Sequence, residues 1–228
     1  MILTQTKNAL ALLPLIFGFA CQDLARRPEV AHQPQSRNSA PKEVHSFSEM
    51  TQYYTEGTDF KITVLDRGSS TTILAPHGGK TEPGTFELAA FIAGNDLNLY
   101  GLEAIVHPIH LTATKFDEPQ ALALTAKSKN CLATHQFLAR TPQSPDVCVG
   151  GANQQLAQKI NDLFVSLGFT TEFPCVILPG TSPKNIVNRC ANQGVQLEFR
   201  ADRMDVWMKD AAITSAVVQG LREIVNFY

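Results

Sequence analysis

The chain has 228 residues, 44% hydrophobic and 18% charged, with 14 Gly, 13 Pro and a formal net charge of −2. This is long enough to bury one sizeable α/β core and too apolar for wholesale disorder. Near-neutral charge without a Lys/Arg block argues against a nucleic-acid binder, which needs clustered cations for phosphate. No apolar run reaches the roughly 20 residues of a membrane-spanning helix.

The N-terminus reads as an address. Lys7 precedes an unbroken apolar stretch, Ala9–Ala20, that ends in the small residues Gly18 and Ala20. A positive start, a short apolar core and small residues describe an export signal. Cys21 follows Gly18-Phe19-Ala20 and adds a second option, a lipoprotein cleaved ahead of a lipidated Cys, although Gly18 stands where that motif usually has Leu. Residues 1–21 are therefore assigned to export. Removing residues 1–20 takes away Lys7 and no acid, leaving 18 basic against 21 acidic residues, a net −3. Residues 22–46 contain three Pro, many polar residues and few aliphatics, the composition of a flexible tether. Residues 47–228 are left as the folded domain.

Cys131, Cys148, Cys175 and Cys190 remain. In an oxidising compartment they allow two disulfides in three connectivities, with buried free thiols as the alternative. Their spacing has no C-x-x-C pair, which argues against a Cys-based zinc site.

Along the folded part, Lys61–Asp66 and Thr71–Ala75 read as strands joined by the turn Arg67-Gly68-Ser69-Ser70, the second returning on the first. Thr85 can cap a helix over Phe86–Ala93 that Gly94 ends. Leu97–Leu102, Ile105–Leu111, Cys131–Phe137 and Val147–Val149 read as further strands. Leu156, Ile160, Leu163, Phe164 and Leu167 recur at helical spacing, and Gly168 stops that helix. Phe173–Leu178 and Val195–Phe199 read as strands, with a short helix opened by Ser182-Pro183 between them. Ala211–Val225 closes the chain as an amphipathic helix on Ile213, Val217, Leu221, Ile224 and Val225. Alternation of this kind predicts one α/β domain whose mixed, mostly parallel sheet is flanked by helices.

The chemistry-bearing residues stand where strands end, the place where open α/β sheets bind ligands. His77 follows an apolar strand, and Glu82 lies five residues on, across Gly78-Gly79 and just ahead of Pro83-Gly84. That spacing fits no helix face, but a curled Gly-rich loop brings the two together. Imidazole and carboxylate suit Zn²⁺, whose catalytic sites take three protein donors. His107, His110 and His135 are candidates for the third donor; His135, at the end of another apolar run, has the favourable place. Glu198 shares a strand face with Gln196 opposite Val195, Leu197 and Phe199, and a carboxylate there needs a cation or a metal-bound water to offset desolvation.

Taken together, Pro76–Leu88, His110–Pro119, the strand ending at His135, Val149–Leu156, Asn185–Cys190 and Gly194–Glu198 resemble the poly-γ-glutamate hydrolase family. Thr134-His135-Gln136 departs from the family's His-Gly. The resemblance implies a zinc-carboxypeptidase-like fold and one catalytic Zn²⁺, with His77, Glu82 and His135 as ligands and Glu198 as general base. It leaves the His110–Pro119 segment structural or substrate-shaping. Arg189 is expected to stabilise the oxyanion or to clamp a substrate carboxylate, with a purely structural tie as the alternative; Asn185 and Asn188 are expected to share in substrate binding. A polyanionic substrate would then rely on a local patch of Lys184, Arg189, Arg200 and Arg203. The predicted activity is hydrolysis of γ-glutamyl amide bonds, most directly those of poly-γ-glutamate, by an exported monomer that meets membrane only through a lipid anchor. γ-Glutamyl peptides of peptidoglycan as substrate, and a binding lipoprotein without catalysis, are the alternatives.

Overall fold

The computed structural model describes residues 43–228, so the export assignment and most of the tether lie outside the described residues. Seven strands, β1 (Phe60–Leu65), β2 (Thr71–Gly79), β3 (Asn98–Ala104), β4 (Asn130–Phe137), β5 (Val147–Gly151), β6 (Thr171–Glu172) and β7 (Gly194–Arg200), form one mixed sheet. Their order is β1-β3-β2-β4-β7-β5-β6. The central β3, β2, β4 and β7 run parallel, while β1 is antiparallel to β3 and β5 to β7.

Helices cover both faces. Against one lie α2 (Thr85–Ala93), α4 (Gln154–Ser166), α5 (Ala201–Trp207) and α6 (Ala211–Asn226), packed on Ile73, Leu132, Val195 and Leu197. Against the other lie α1 (Phe47–Tyr53), α3 (Pro119–Lys127) and the 3₁₀ turn Ile186–Arg189, packed on Leu74, Tyr100, Cys131 and Ala133. The α4 periodicity is realised directly: Leu156, Ile160 and Phe164 are fully buried, each stabilising by roughly 1.5–3 kcal/mol. Ser46 caps α1 by accepting from the Glu49 amide at 3.0 Å. Packing begins earlier still, because Val44 is buried and bridges to Leu111.

Several local expectations are corrected. β1 and β2 are not a hairpin, since β3 lies between them. The Arg67–Ser70 turn wraps Asn98 at the start of β3, whose Oδ1 accepts from the amides of Arg67 and Ser69 at 2.8 and 3.2 Å. Ile105–Leu111 is not a strand but a loop carrying Pro108, its buried Ile109 held to Thr81. Phe173–Leu178 is likewise a loop beyond the two-residue β6; Pro174 and Pro179 supply no ladder donors. Helix α2 is capped by Gly84 (φ 86°), with Thr85 its first residue and the Thr85 hydroxyl donating to the Glu82 carbonyl at 2.7 Å. Disulfides Cys131–Cys190 and Cys148–Cys175 settle the connectivity and replace the free-thiol alternative.

Candidate metal centre

His135 and Glu198 meet because β4 and β7 are parallel neighbours in a register that pairs these two residues. Along β4, Leu132 packs on the α2/α4/α6 side, so the alternation of a strand sends Cys131, Ala133 and His135 to the opposite face. Along β7, Val195, Leu197 and Phe199 fill the former core, leaving Gln196 and Glu198 on His135's face. Their separation is therefore set by the strand spacing of the sheet.

His77 reaches the same place from β2, which runs to Gly79 and not only to Ala75. The pairing of β2 with β3 shifts between Ala75 and Gly78, a local irregularity at Pro76-His77. Gly79 has φ 68°, and a Cβ there would collide with the Ala104 carbonyl oxygen. Only Gly meets both conditions. The chain then curls: the Glu82 amide donates to the His77 carbonyl at 2.8 Å, and Glu82 turns back on the imidazole. The Thr81 hydroxyl ties this loop to Ile109 through bonds of 2.9 and 3.1 Å.

The result is a close triad. Nδ1 of His77 stands 2.9 Å from Glu82 Oε1 and 3.1 Å from Nδ1 of His135, which is itself 3.3 Å from Glu82 Oε2. Both imidazoles are buried. Backbone groups hold the set: the Gln136 amide donates to Glu82 Oε2 at 3.0 Å, and His77 Nε2 lies 2.9 Å from the Leu111 carbonyl, which can only accept. A neutral His77 thus carries its proton on Nε2 and points the bare Nδ1 lone pair at a carboxylate and a second imidazole. Electron pairs converging in this way call for a positive charge among them. Two His and one Glu are the donor set of a tetrahedral zinc site with an open position, and the residues fit that ion.

The electrostatics tell the same story. Burial pushes His77 down, but the Glu82 carboxylate and the hydrogen bonds outweigh it and the net shift is upward. His135 is lowered, burial prevailing over Glu82. Glu82 itself is held far below the carboxylate range: burial opposes ionisation and the two imidazoles overcome it. Glu198 goes the other way, raised well above normal by burial and then by repulsion from Glu82, with the bond from Gln196 opposing. A divalent cation beside Glu82 would cancel that repulsion.

A cavity of about 570 Å³ opens over the triad, lined among others by His110, Thr112, Phe137, Leu178, Asn185 and Glu198. The remaining expected residues divide. Asn185 lines the cavity, with its Nδ2 donating to Gln196 Oε1 at 2.7 Å and its Oδ1 accepting from the Val187 amide at 3.1 Å. Asn188 does not line it; its amide is occupied by the carbonyls of Gly180 and Ser182 and the amides of Ala152 and Gly194. Arg189 is exposed, its guanidinium reaching the Lys184 carbonyl at 3.4 Å, so it stands outside the cavity lining. Arg200 and Arg203 are engaged with Asp202 and Asp146, and neither they nor Lys184 line the cavity.

Some contributors carried no sequence signal of their own. The Leu111 carbonyl and the Gln136 amide act through the backbone, which side-chain identity cannot announce. Gln136 itself fits where the family has Gly, because β4 continues to Phe137 without a turn there. In the His110–Pro119 segment, Glu118 is buried and caps α3 by accepting from the amides of Gln120 and Ala121 at 3.1 and 2.7 Å. Thr112 and Thr114 of the same segment face the cavity.

A family model described as poly-gamma-glutamate hydrolase matches residues 44–216. The chain belongs to this family. It is 33% identical over 151 residues to the SPbeta prophage-derived protein YoqZ of Bacillus subtilis (strain 168), covering 63% of this chain and 54% of that protein. Protein YndL of the same organism is 28% identical over 173 residues, covering 69% and 66% respectively. The chain thus spans about half to two-thirds of these relatives' length. The solved structure of a bacteriophage poly-gamma-glutamate hydrolase superposes with a TM-score of 0.72 at 27% identity, covering 81% of this chain and 97% of that one. Apo, zinc-free YndL superposes at 0.70 with 22% identity, covering 80% and 96%, which speaks to the fold. The family match and the superposition agree on one and the same fold.

Proposed function

We propose that this protein is a zinc-dependent hydrolase of γ-glutamyl amide bonds, with poly-γ-glutamate its foremost substrate. The observation that carries the reading is the meeting of His77, Glu82 and His135 with Glu198 in register beside them, in a chain of this family. His77 Nδ1, a Glu82 oxygen and His135 Nδ1 would hold the metal. When bound, zinc supplies a Lewis acid that polarises a carbonyl and lowers the pKa of a neighbouring water toward about 7. Glu198 then accepts the proton of the attacking water and returns it to the leaving nitrogen. Leu111 and Gln136 keep the ligand set oriented through their main-chain bonds. The apolar wall of Phe137, Ile177, Leu178 and Pro179 favours a second reading, in which the γ-glutamyl amide belongs to a peptidoglycan peptide carrying small apolar residues. In both readings residues 1–21 direct export of a monomer, and a cut ahead of Cys21 would leave that residue open to lipidation.

The test combines metal content with hydrolysis. Zinc near one per chain and chelator-sensitive shortening of poly-γ-glutamate support the first reading. Cleavage of muropeptides alone supports the second, and zinc without hydrolysis of either substrate leaves a binding protein. Glu198→Gln should abolish turnover and retain zinc; loss of the metal in that variant would show that Glu198 is a ligand and not the base.

A further inference from the structure

Resting on Glu198 as the base, we propose that Asn185 and Gln196 form a one-way hydrogen-bond relay that fixes how the Glu198 carboxyl is presented to substrate. The direction of the relay follows from its first link. The amide of Val187, in the 3₁₀ turn, can only donate, and it donates to Asn185 Oδ1 at 3.1 Å. The Asn185 side chain is thereby oriented, and its Nδ2 faces Gln196 Oε1 at 2.7 Å. Gln196 must then present its NH₂ to Glu198 Oε1, 2.8 Å away. The two ends of a side-chain amide are alike in shape, and the backbone donor fixes which way Asn185 faces and, through it, Gln196.

The consequence is an asymmetric carboxyl. Oε1 of Glu198 is committed as an acceptor, leaving Oε2 to exchange the proton of the reaction. Asn185, Gln196 and Glu198 are all buried at the floor of the cavity, where each hydrogen bond counts for more than in open water. The sheet supports the geometry, because Gln196 and Glu198 are two apart on one strand and lie on the same face. Loop atoms add to it: Gly180 packs against the Gln196 side chain, whose Nε2 also lies 3.5 Å from the Leu178 carbonyl. Asn185 and Gln196 are thus positioning residues, acting on the substrate through Glu198.

Asn185→Asp tests the direction at almost constant volume. An ionised Asp cannot donate to Gln196 Oε1, so the Gln196 amide turns its NH₂ toward residue 185 and its oxygen toward Glu198. Gln196→Met removes the link while keeping the chain length. Each variant should lower kcat about 10- to 100-fold, with KM and zinc content unchanged, and the double variant should be no worse than Gln196→Met alone. A second readout uses metal-free protein. In wild type the Gln196 side-chain NH₂ should show slowed hydrogen exchange by NMR, and Asn185→Asp should change its shift. Unchanged kcat in both variants, or a freely exchanging Gln196 amide in wild type, overturns the relay while an inactive Glu198→Gln leaves the assignment of the base intact. Wild-type turnover by Glu198→Gln overturns the base assignment, and the relay with it.

Discussion

The two disulfides should separate stability from activity. Cys148–Cys175 closes a separation of 27 residues and Cys131–Cys190 one of 59. Loop-closure entropy grows with the logarithm of loop length, giving about 3.6 kcal/mol for the shorter and about 4.2 kcal/mol for the longer at 25 °C. With a urea m value of about 2 kcal/mol/M, the paired Cys→Ala variants should lose about 1.8 M and about 2.1 M of unfolding midpoint respectively. Activity should rank the other way. Cys175 anchors the loop whose residues Ile177–Ser182 line the cavity, and its partner Cys148 lies opposite Glu198 in the β5/β7 register. Cys131–Cys190 instead pins the start of β4 beneath the 3₁₀ turn, away from the cavity lining. The Cys148→Ala/Cys175→Ala variant should therefore lose more kcat/KM on a γ-glutamyl substrate while losing less stability. Urea unfolding of metal-free protein and steady-state kinetics of the zinc-loaded form measure the two. A midpoint shift below about 0.5 M, or equal kcat/KM losses in both variants, refutes the reasoning.

Three further outcomes follow from the site. Glu198 is raised in the folded metal-free protein, so the native state binds more protons than the unfolded one and loses stability as pH rises above the ordinary carboxylate range. Glu198→Gln should therefore stabilise the metal-free protein at pH 7 in denaturant titrations, with the gain fading as pH falls below about 4; no gain at neutral pH would contradict the burial argument. Gly79→Ala places a Cβ against the Ala104 carbonyl at a left-handed φ, and should cost about 2 kcal/mol or more in thermal unfolding together with weakened zinc retention. Arg189→Ala should leave kcat/KM within about twofold and stability within about 0.5 kcal/mol, whereas Asn188→Ala takes a hydrogen bond from four backbone groups, of which the Ser182 carbonyl keeps the Asn185 amide, and should cost about 2–4 kcal/mol, a Tm loss of roughly 5–15 °C.

The sequence revealed the parts whose physics is local or periodic. The α4 stripe of Leu156, Ile160 and Phe164 and the apolar strands ending near His77 and His135 announced themselves by spacing and composition. The clustering of His77, Glu82 and His135 was legible because Gly78, Gly79 and the nearby Gly84 let the loop curl, and because the strand end and the family resemblance both pointed to His135. Strand neighbours were not legible: β3 enters between β1 and β2 for reasons of burial on both faces, to which the Arg67–Ser70 turn gives no clue. Ile105–Leu111 and Phe173–Leu178 have strand-like composition, yet only Ile109, Leu111 and Cys175 of them are buried, and Ile105, Val106, Val176, Ile177 and Leu178 stay exposed in loops. Helix α3 was hidden because its cap is Glu118, a residue less often read as a start signal than Ser, Thr, Asp or Asn. Arg189 and Asn188 were judged by side-chain chemistry, whereas their roles depend on which way the 3₁₀ turn faces.

His135 and Glu198 belong to adjacent central strands, so their spacing is inherited from the sheet and is indifferent to what the surrounding segments do. The Ile177–Ser182 segment contributes cavity wall and none of the His77, Glu82 and His135 donors. On the proposed activity, insertions or exchanges there would retune which amide is admitted while His135 and Glu198 stay in place. Grafting the corresponding segment between relatives of the same fold is thus a rational route to altered selectivity.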